Sequence, residues 1–189
     1  MAASARERIV DTAYELLSRH GIRAVGVDTI AAEAGVAKMT LYRHFPSKDD
    51  LVLEFLSRRE ERWTNGWLRA EVERRASGGA DRLLAIFDVF GEWFDRPDFE
   101  GCSFINVLLE FDDPDHPARQ ASVLHLANIR DFLAALAGDA GVADPDGFAR
   151  QWHMLMKGSI VAAGEGDREA ARRAQDIGRL LLAREGAAA

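Results

Sequence analysis

Between Lys38 and Lys48 the chain carries two ammonium groups, a guanidinium, a phenol, a hydroxyl and an imidazole, on Lys38, Lys48, Arg43, Tyr42, Thr40 and His44. At about 100° per residue, a helix that turns Leu41 into a core sets Ala37 and Phe45 beside it and points Met39 and Arg43 the opposite way. Lys38 and Tyr42 then lie on one flank, Thr40 and His44 on the other. Such a face suits a nucleic-acid groove. Arg forks onto guanine, Thr bonds a base or touches a thymine methyl, and Tyr, His and Lys hold phosphate oxygens. Lys48 is placed to reach a backbone phosphate near the positive end of the following helix. The same side chains would equally furnish the solvated face of a plain three-helix bundle, so periodicity alone leaves both readings open.

The elements that must position these groups lie on either side of them. Ser4-Ala5-Arg6-Glu7 is a capping box, and Ile9, Ala13, Leu16 and Leu17 follow as one apolar stripe up to Gly21, a residue suited to a helix C-terminus. Val27, Ile30, Ala31 and Ala34 form a second short run stopped by Gly35. Pro46 ends the third helix, and Ser47 caps a fourth with Asp49 and Asp50 in its first turn, where the helix dipole favours negative charge. Two short helices joined around Gly35-Val36 have the dimensions of a helix-turn-helix, whose second helix enters the major groove.

Beyond residue 50 the helical period continues. It runs from Leu51 to about Ala76, where Ser77-Gly78-Gly79 turns the chain, and again from about Ala80 to Arg96 before Pro97. Cys102 to Phe111 is a short helix, Pro117 opens one to about Ala137, and Asp144-Pro145 opens another to about Ala163 in N-cap, N1 order. Asp167 is expected to cap a final helix to about Glu185. With no β alternation and no internal repeat, the expectation is an all-α fold of about nine helices, with the helix-turn-helix region over 1–50 and the remaining helices over 51–189.

Composition narrows the class. The 189 residues hold 24 Lys plus Arg against 31 Asp plus Glu, a net charge of −7, and a single cysteine. One cysteine forbids an intramolecular disulfide or a thiolate cluster, which points to a reduced, cytoplasmic setting. No stretch reaches the ~18 apolar residues of a membrane span, so no membrane partner is expected. The net charge argues against a protein that coats nucleic acid. Its distribution argues otherwise: residues 1–48 hold seven basic and five acidic groups, a net of +2, and the remainder 17 and 26, a net of −9. An acidic remainder repels duplex DNA and confines contact to the first helices.

The run Val27-Asp28-Thr29-Ile30-Ala31-Ala32-Glu33-Ala34-Gly35-Val36, with Thr40-Leu41-Tyr42-Arg43-His44-Phe45-Pro46-Ser47-Lys48, resembles the DNA-binding segment of the TetR (tetracycline repressor) family. The resemblance covers about Ala5 to Leu51. Gly101-Cys102-Ser103-Phe104-Ile105-Asn106, with Glu110-Phe111 and Asp113-Pro114, is also similar to a segment of one TetR subgroup. What this implies is a homodimeric transcriptional repressor, released from a palindromic operator by a small-molecule effector, with a helix-turn-helix DNA-binding domain over 1–50 and a ligand-binding and dimerisation domain over 51–189. By position, Lys38, Met39, Thr40, Tyr42, Arg43, His44 and Lys48 are the implied DNA contacts, with Thr29 near the backbone. Two departures stand out. The family favours Ser where this chain has Ala37, which removes a side-chain cap from the recognition helix at roughly 1 kcal/mol. It very often has Gly where this chain has Met39, so the operator sequence does not transfer from a relative.

The later helices suggest an effector cavity. Aromatics concentrate there, and an apolar cavity with a few polar groups is the default ligand site. The candidates are Phe87, Phe90, Phe94, Phe104, Asn106, Glu110, His125, Trp152, His153 and Met156. Cys102, Asn106 and Glu110 share one face of their helix, as an effector wall, a solvated face or an internal hydrogen-bond network. A Glu110 facing the cavity would suit a lipophilic cation. Cys102 is either an inert packer or a thiol activated by a helix N-terminus. In the last two helices Trp152, Ile160, Ala163, Ala170, Ala174, Ile177 and Leu181 lie on two stripes, one rich in small residues, that suit a dimer interface across a two-fold axis or packing within the chain.

Enzyme signatures are missing from the sequence. No histidine has a Glu three residues before it, and there is no H-E-x-x-H, G-x-x-x-x-G-K-[ST] or G-x-S-x-G. No catalytic residue, metal or cofactor is expected. An all-α protein-binding adaptor would explain the helices but not the Tyr42 to Lys48 pattern.

Overall fold

The computed structural model describes residues 3–187; the outermost residues of the two expected domains, 1–2 and 188–189, lie outside these. Helices follow one another as α1 (Ala5–His20), α2 (Val27–Glu33), α3 (Lys38–His44), α4 (Lys48–Arg59), a π-helical stretch (Glu60–Arg69), α5 (Ala70–Arg75), α6 (Gly79–Phe94), α7 (Ser103–Glu110), α8 (Pro117–Asp139), α9 (Pro145–Gly164) and α10 (Ala170–Arg184). Taking Lys48–Arg75 as one unbroken helical run gives nine helices, and among the described residues there is no strand. The fold is all-α, as the periodicity requires.

Local chemistry sets the ends. Ser4 accepts from the Glu7 amide while Glu7 accepts from the Ser4 amide, and Ser47 and Asp50 repeat the capping box at α4. Gly21 closes α1 at φ 80°, and Asp144 caps α9 with Pro145 in its first turn. Two expectations are corrected. Asp167 does not cap α10: Glu169 holds the N-cap position, and Asp167 instead accepts from the Glu169 amide and pairs with Arg173. The run after Leu51 is not α-helical throughout, because Glu60–Arg69 winds as a π-helix, a form associated with functional sites. There Thr64 and Leu68 are buried, continuing to Val72 at a spacing of four.

The chain divides into two compact units, residues 1–62 with 102–125, and 63–101 with 126–189. In the first, α1 packs on α2, α3 and α4, and α7 packs on α4. Ile9, Ala13, Ile30, Leu41, Leu51 and Leu56 are sealed from solvent there. In the second, α6 lies between α5 and α10, and α10 also packs on α9. Ten of the sixteen residues of α6 are buried, the mark of a helix apolar around most of its circumference. Two glycines permit close approaches in this unit. A Cβ on Gly79 would run into the Leu136 carbonyl oxygen, and one on Gly178 would stand 2.7 Å from the Trp152 ring.

Candidate functional site

The turn between α2 and α3 is built on Gly35 at φ 63°, with the Val36 amide donating to the Ala31 carbonyl at 3.0 Å and the Gly35 amide to the Ala32 carbonyl at 3.1 Å. This is a glycine C-cap, and it aims α3. Leu41 and Phe45 face the core, whereas Met39 is 73% exposed and Lys38, Arg43 and His44 are exposed with it. Tyr42 and Thr40 are half-buried on the flanks, and Thr29 is exposed on α2. The expected face therefore exists as one surface, with one difference. Ala37 is exposed rather than beside Leu41, because it is the extended N-cap residue, and no side chain caps α3.

Two of these groups already have partners. Arg43 Nη2 donates to Thr40 Oγ1 at 3.1 Å, which fixes the guanidinium on the outer face. Lys38 Nζ lies 2.7 Å from Asp28 Oδ1, and this hydrogen bond holds the ammonium pKa above its usual value. Both side chains are solvent-exposed, so the pair contributes little to folding. Lys48 is the exception to an outward role. Its Nζ donates to the Ile22 carbonyl at 2.5 Å, leaving two N–H groups for a phosphate. The Ile22 and Arg23 amides in turn donate to the Glu110 carboxylate at 3.0 and 2.8 Å. Lys48 and Glu110 thus grip the α1–α2 loop from two sides, a pairing that their separation in the sequence conceals.

The candidate effector residues fall into two groups. Phe104 stacks on His125 with ring centroids 5.0 Å apart, and Asn106 and Glu110 lie on the same α7; these belong to the first unit. His125 Nδ1 is 2.9 Å from Glu60 Oε2 but out of line for a hydrogen bond. In the second unit Phe87 meets Trp152 at 5.4 Å and Phe90 at 6.3 Å, and Phe90 meets Phe94 at 5.4 Å. Trp152, His153 and Met156 are buried on α9. Burial, reinforced by Lys157 and Arg130, pushes the His153 imidazole down to about 3, so it is neutral. Sequence reasoning passed over Thr64, buried with no hydrogen-bond partner, and Arg69, whose guanidinium carbon stands 4.6 Å from the Phe132 ring centroid. The available signal was a Thr on the buried face of a helix, four residues before Leu68.

On α9 and α10 the expected interface residues Trp152, Ile160, Ala170 and Ala174 are buried within their own unit, Ala163 and Leu181 are half-buried, and Ile177 is exposed. The apolar residues these helices leave in solvent are Met154, Val161, Ile177 and Leu180. A shallow groove of ≈ 210 Å³ runs beside them, lined by Leu155, Gly158, Ala162 and Ala174 among others.

A helix-turn-helix with a polar recognition face, followed by further helices, defines a DNA-binding regulator. Residues 9–55 match the bacterial regulatory proteins of the tetR family, and residues 79–177 match the tetracyclin repressor-like C-terminal domain. The chain belongs to the TetR family. It is 30% identical to the TetR-family transcriptional regulator SCO4454 from Streptomyces coelicolor, with a TM-score of 0.86, covering 97% of this chain and 90% of that one. A regulator from Streptomyces avermitilis is 29% identical at a TM-score of 0.86, covering 98% and 100%. Among curated proteins, the transcriptional activator FasR of Mycolicibacterium smegmatis is 33% identical over 91 residues, 48% of this chain and 41% of that protein. The transcriptional repressor KstR of the same species is 39% identical over 74 residues, 39% of this chain and 34% of that protein. The match thus spans less than half the length of these curated relatives. Among the described residues, no helix is long and apolar enough to cross a membrane.

Proposed function

We propose that the protein is a homodimeric, cytoplasmic repressor that binds a palindromic operator and leaves it when a small molecule enters the aromatic interior of the second unit. The observation that carries DNA reading is the α3 face: Lys38, Met39, Arg43 and His44 stand in solvent beside Thr40 and Tyr42 while Leu41 anchors the helix. Arg43, oriented by Thr40, reads a base. Tyr42, His44, Lys38, Lys48 and Thr29 take phosphates, and Met39 touches an apolar base edge. Repression rather than activation is favoured by KstR, named a repressor, whose matched segment shows the higher identity of the two curated relatives.

Two copies are needed because a two-fold operator is read by two heads. Ile177 is the predicted interface residue that stands exposed, and Met154, Val161 and Leu180 extend its surface. Effector release is a population shift between states of different head spacing. Selection of bound duplexes from the source genome, followed by binding at graded salt, tests the reading. Recovery of a palindrome overlapping a promoter, with affinity that falls steeply as salt rises, is expected. No binding at low salt overturns it.

A further inference from the structure

Residues 1–62 contain no asparagine and no glutamine, and the run from Lys38 to His44 holds no carboxylate either. That absence bears on what α3 can read. Adenine is recognised in the major groove by the paired donor and acceptor of Asn or Gln, and the cytosine amine by a carboxylate of Asp or Glu. Neither kind of side chain stands on the recognition helix.

Acceptors close to the face are already engaged. The Asp28 carboxylate on α2 takes Lys38 Nζ at 2.7 Å. Thr40 Oγ1 accepts from Arg43 Nη2 at 3.1 Å. Tyr42 is half-buried on one flank and His44 stands on the other, both at the edge of the helix rather than at its centre.

What the centre of the face offers is donors and apolar surface. Met39 and Arg43 are one turn apart and point the same way, Met39 being 73% exposed and Arg43 exposed beside it. The bond to Thr40 fixes the guanidinium and leaves the rest of its fork free to donate. A thioether is only a weak acceptor, so Met39 contributes apolar contact. Such a face matches the keto bases: guanine presents two acceptors, N7 and O6, and thymine a C5 methyl beside its O4.

We propose that α3 reads keto bases: Arg43 takes N7 and O6 of a guanine, and Met39 takes the C5 methyl of a thymine about two base steps away. The separation follows from the helix, since four residues rise ~6 Å against about 3.4 Å per base step. No adenine or cytosine amine is read by a side chain of α3. Met39 is thereby a specificity-determining residue. This rests on the DNA-reading function above and gives the operator its base chemistry.

The test begins with duplexes that the full chain selects from a randomised pool, which define the half-site. Base analogues placed one at a time in that duplex then isolate each contact. Guanine replaced by 7-deazaguanine, which lacks only the N7 acceptor, should weaken binding about tenfold at one position per half-site and cost Arg43→Ala nothing further. Thymine replaced by uracil, which lacks only the methyl, should weaken binding about fourfold at one position and cost Met39→Ala nothing further. Both side chains are exposed, so each variant should keep the wild-type unfolding midpoint. Adenine replaced by purine, which lacks only the amine, should affect wild type and the two variants alike. A purine effect that vanishes in Arg43→Ala or Met39→Ala would mean that an amine is read, and overturns the proposal. So does a recovered half-site in which 7-deazaguanine and uracil cost nothing at any position, and in that case the DNA-reading function stands. If no duplex is recovered at low salt, that function falls and the base assignment with it.

Discussion

The carboxylate of Glu110 accepts the backbone amide of Ile22 at 3.0 Å, and the carbonyl of the same Ile22 accepts from Lys48. Gly21 makes this possible: a Cβ there would stand 2.8 Å from Glu110 Oε1, and its φ of 80° is one that side chains resist. Glu110→Ala strands two amides of the α1–α2 loop. It should cost about 1–3 kcal/mol in denaturant unfolding and reduce operator affinity without altering base preference. Gly21→Ala should do the same by steric means. A variant of either kind with wild-type stability would show that the clamp is not holding the loop.

On the recognition helix, Tyr42→Ala should weaken binding to all duplexes and lower the salt slope by about one. Arg43→Ala should cost about 1–3 kcal/mol and also relax preference at one base pair per half-site. Equal losses on every sequence would exclude a base-reading role. Lys48→Ala should weaken binding across sequences too, with a measurable loss of stability, since it also frees the Ile22 carbonyl.

Asp28 competes with DNA for Lys38. The 2.7 Å pair must open or be shared when Lys38 meets a phosphate. Asp28→Asn should therefore tighten binding several-fold on specific and non-specific duplexes alike and steepen the salt dependence, with little change in thermal stability. Filter binding at two salt concentrations measures this.

Packing between α9 and α10 depends on Gly178. A methyl group there would sit 2.7 Å from the ring of Trp152, a side chain with no exposed surface. Gly178→Ala should destabilise by about 1–3 kcal/mol. Gly79→Ala, directed at backbone atoms of the α8 terminus, should cost more, and most such protein should fail to fold.

Acid should unfold the second unit through His153. Its pKa falls from 6.5 in the unfolded chain to about 3 when buried. The unfolded state therefore binds a proton that the folded state does not. Stability from this group is complete above pH 6.5 and is lost as pH falls towards 3, by roughly 1.4 kcal/mol per pH unit at the steepest. His153→Phe should remove that part of the slope between pH 6 and 4. An unchanged slope would mean that His153 is protonated in the folded protein.

The reading head was legible because its determinants are local. The capping box at Ser4, the N-cap at Ser47, the glycine turn at Gly35, and the alternation of Leu41 with Arg43 and Met39 all lie within a few residues of their partners. Helix count and the aromatic interior were legible for the same reason: a 3.6-residue period and the placement of Pro and Gly are written in the chain. Even there, a spacing of four at Thr64, Leu68 and Val72 did not betray a π-helix.

What the letters could not supply is long-range. Residues 102–125 pack with the N-terminal unit, so Glu110 meets Ile22 across 88 positions, and nothing near either residue signals it. The stripes of α9 and α10 show why: the apolar face is written in the sequence, but whether it meets its own chain or solvent is decided by the helices beside it. Trp152 is buried against Phe87 and Gly178, whereas Ile177 and Leu180 are left open. Amphipathicity fixes that a face must be covered; only the tertiary arrangement decides by what, because the residues that cover it come from distant segments, and side-chain period carries no information about them.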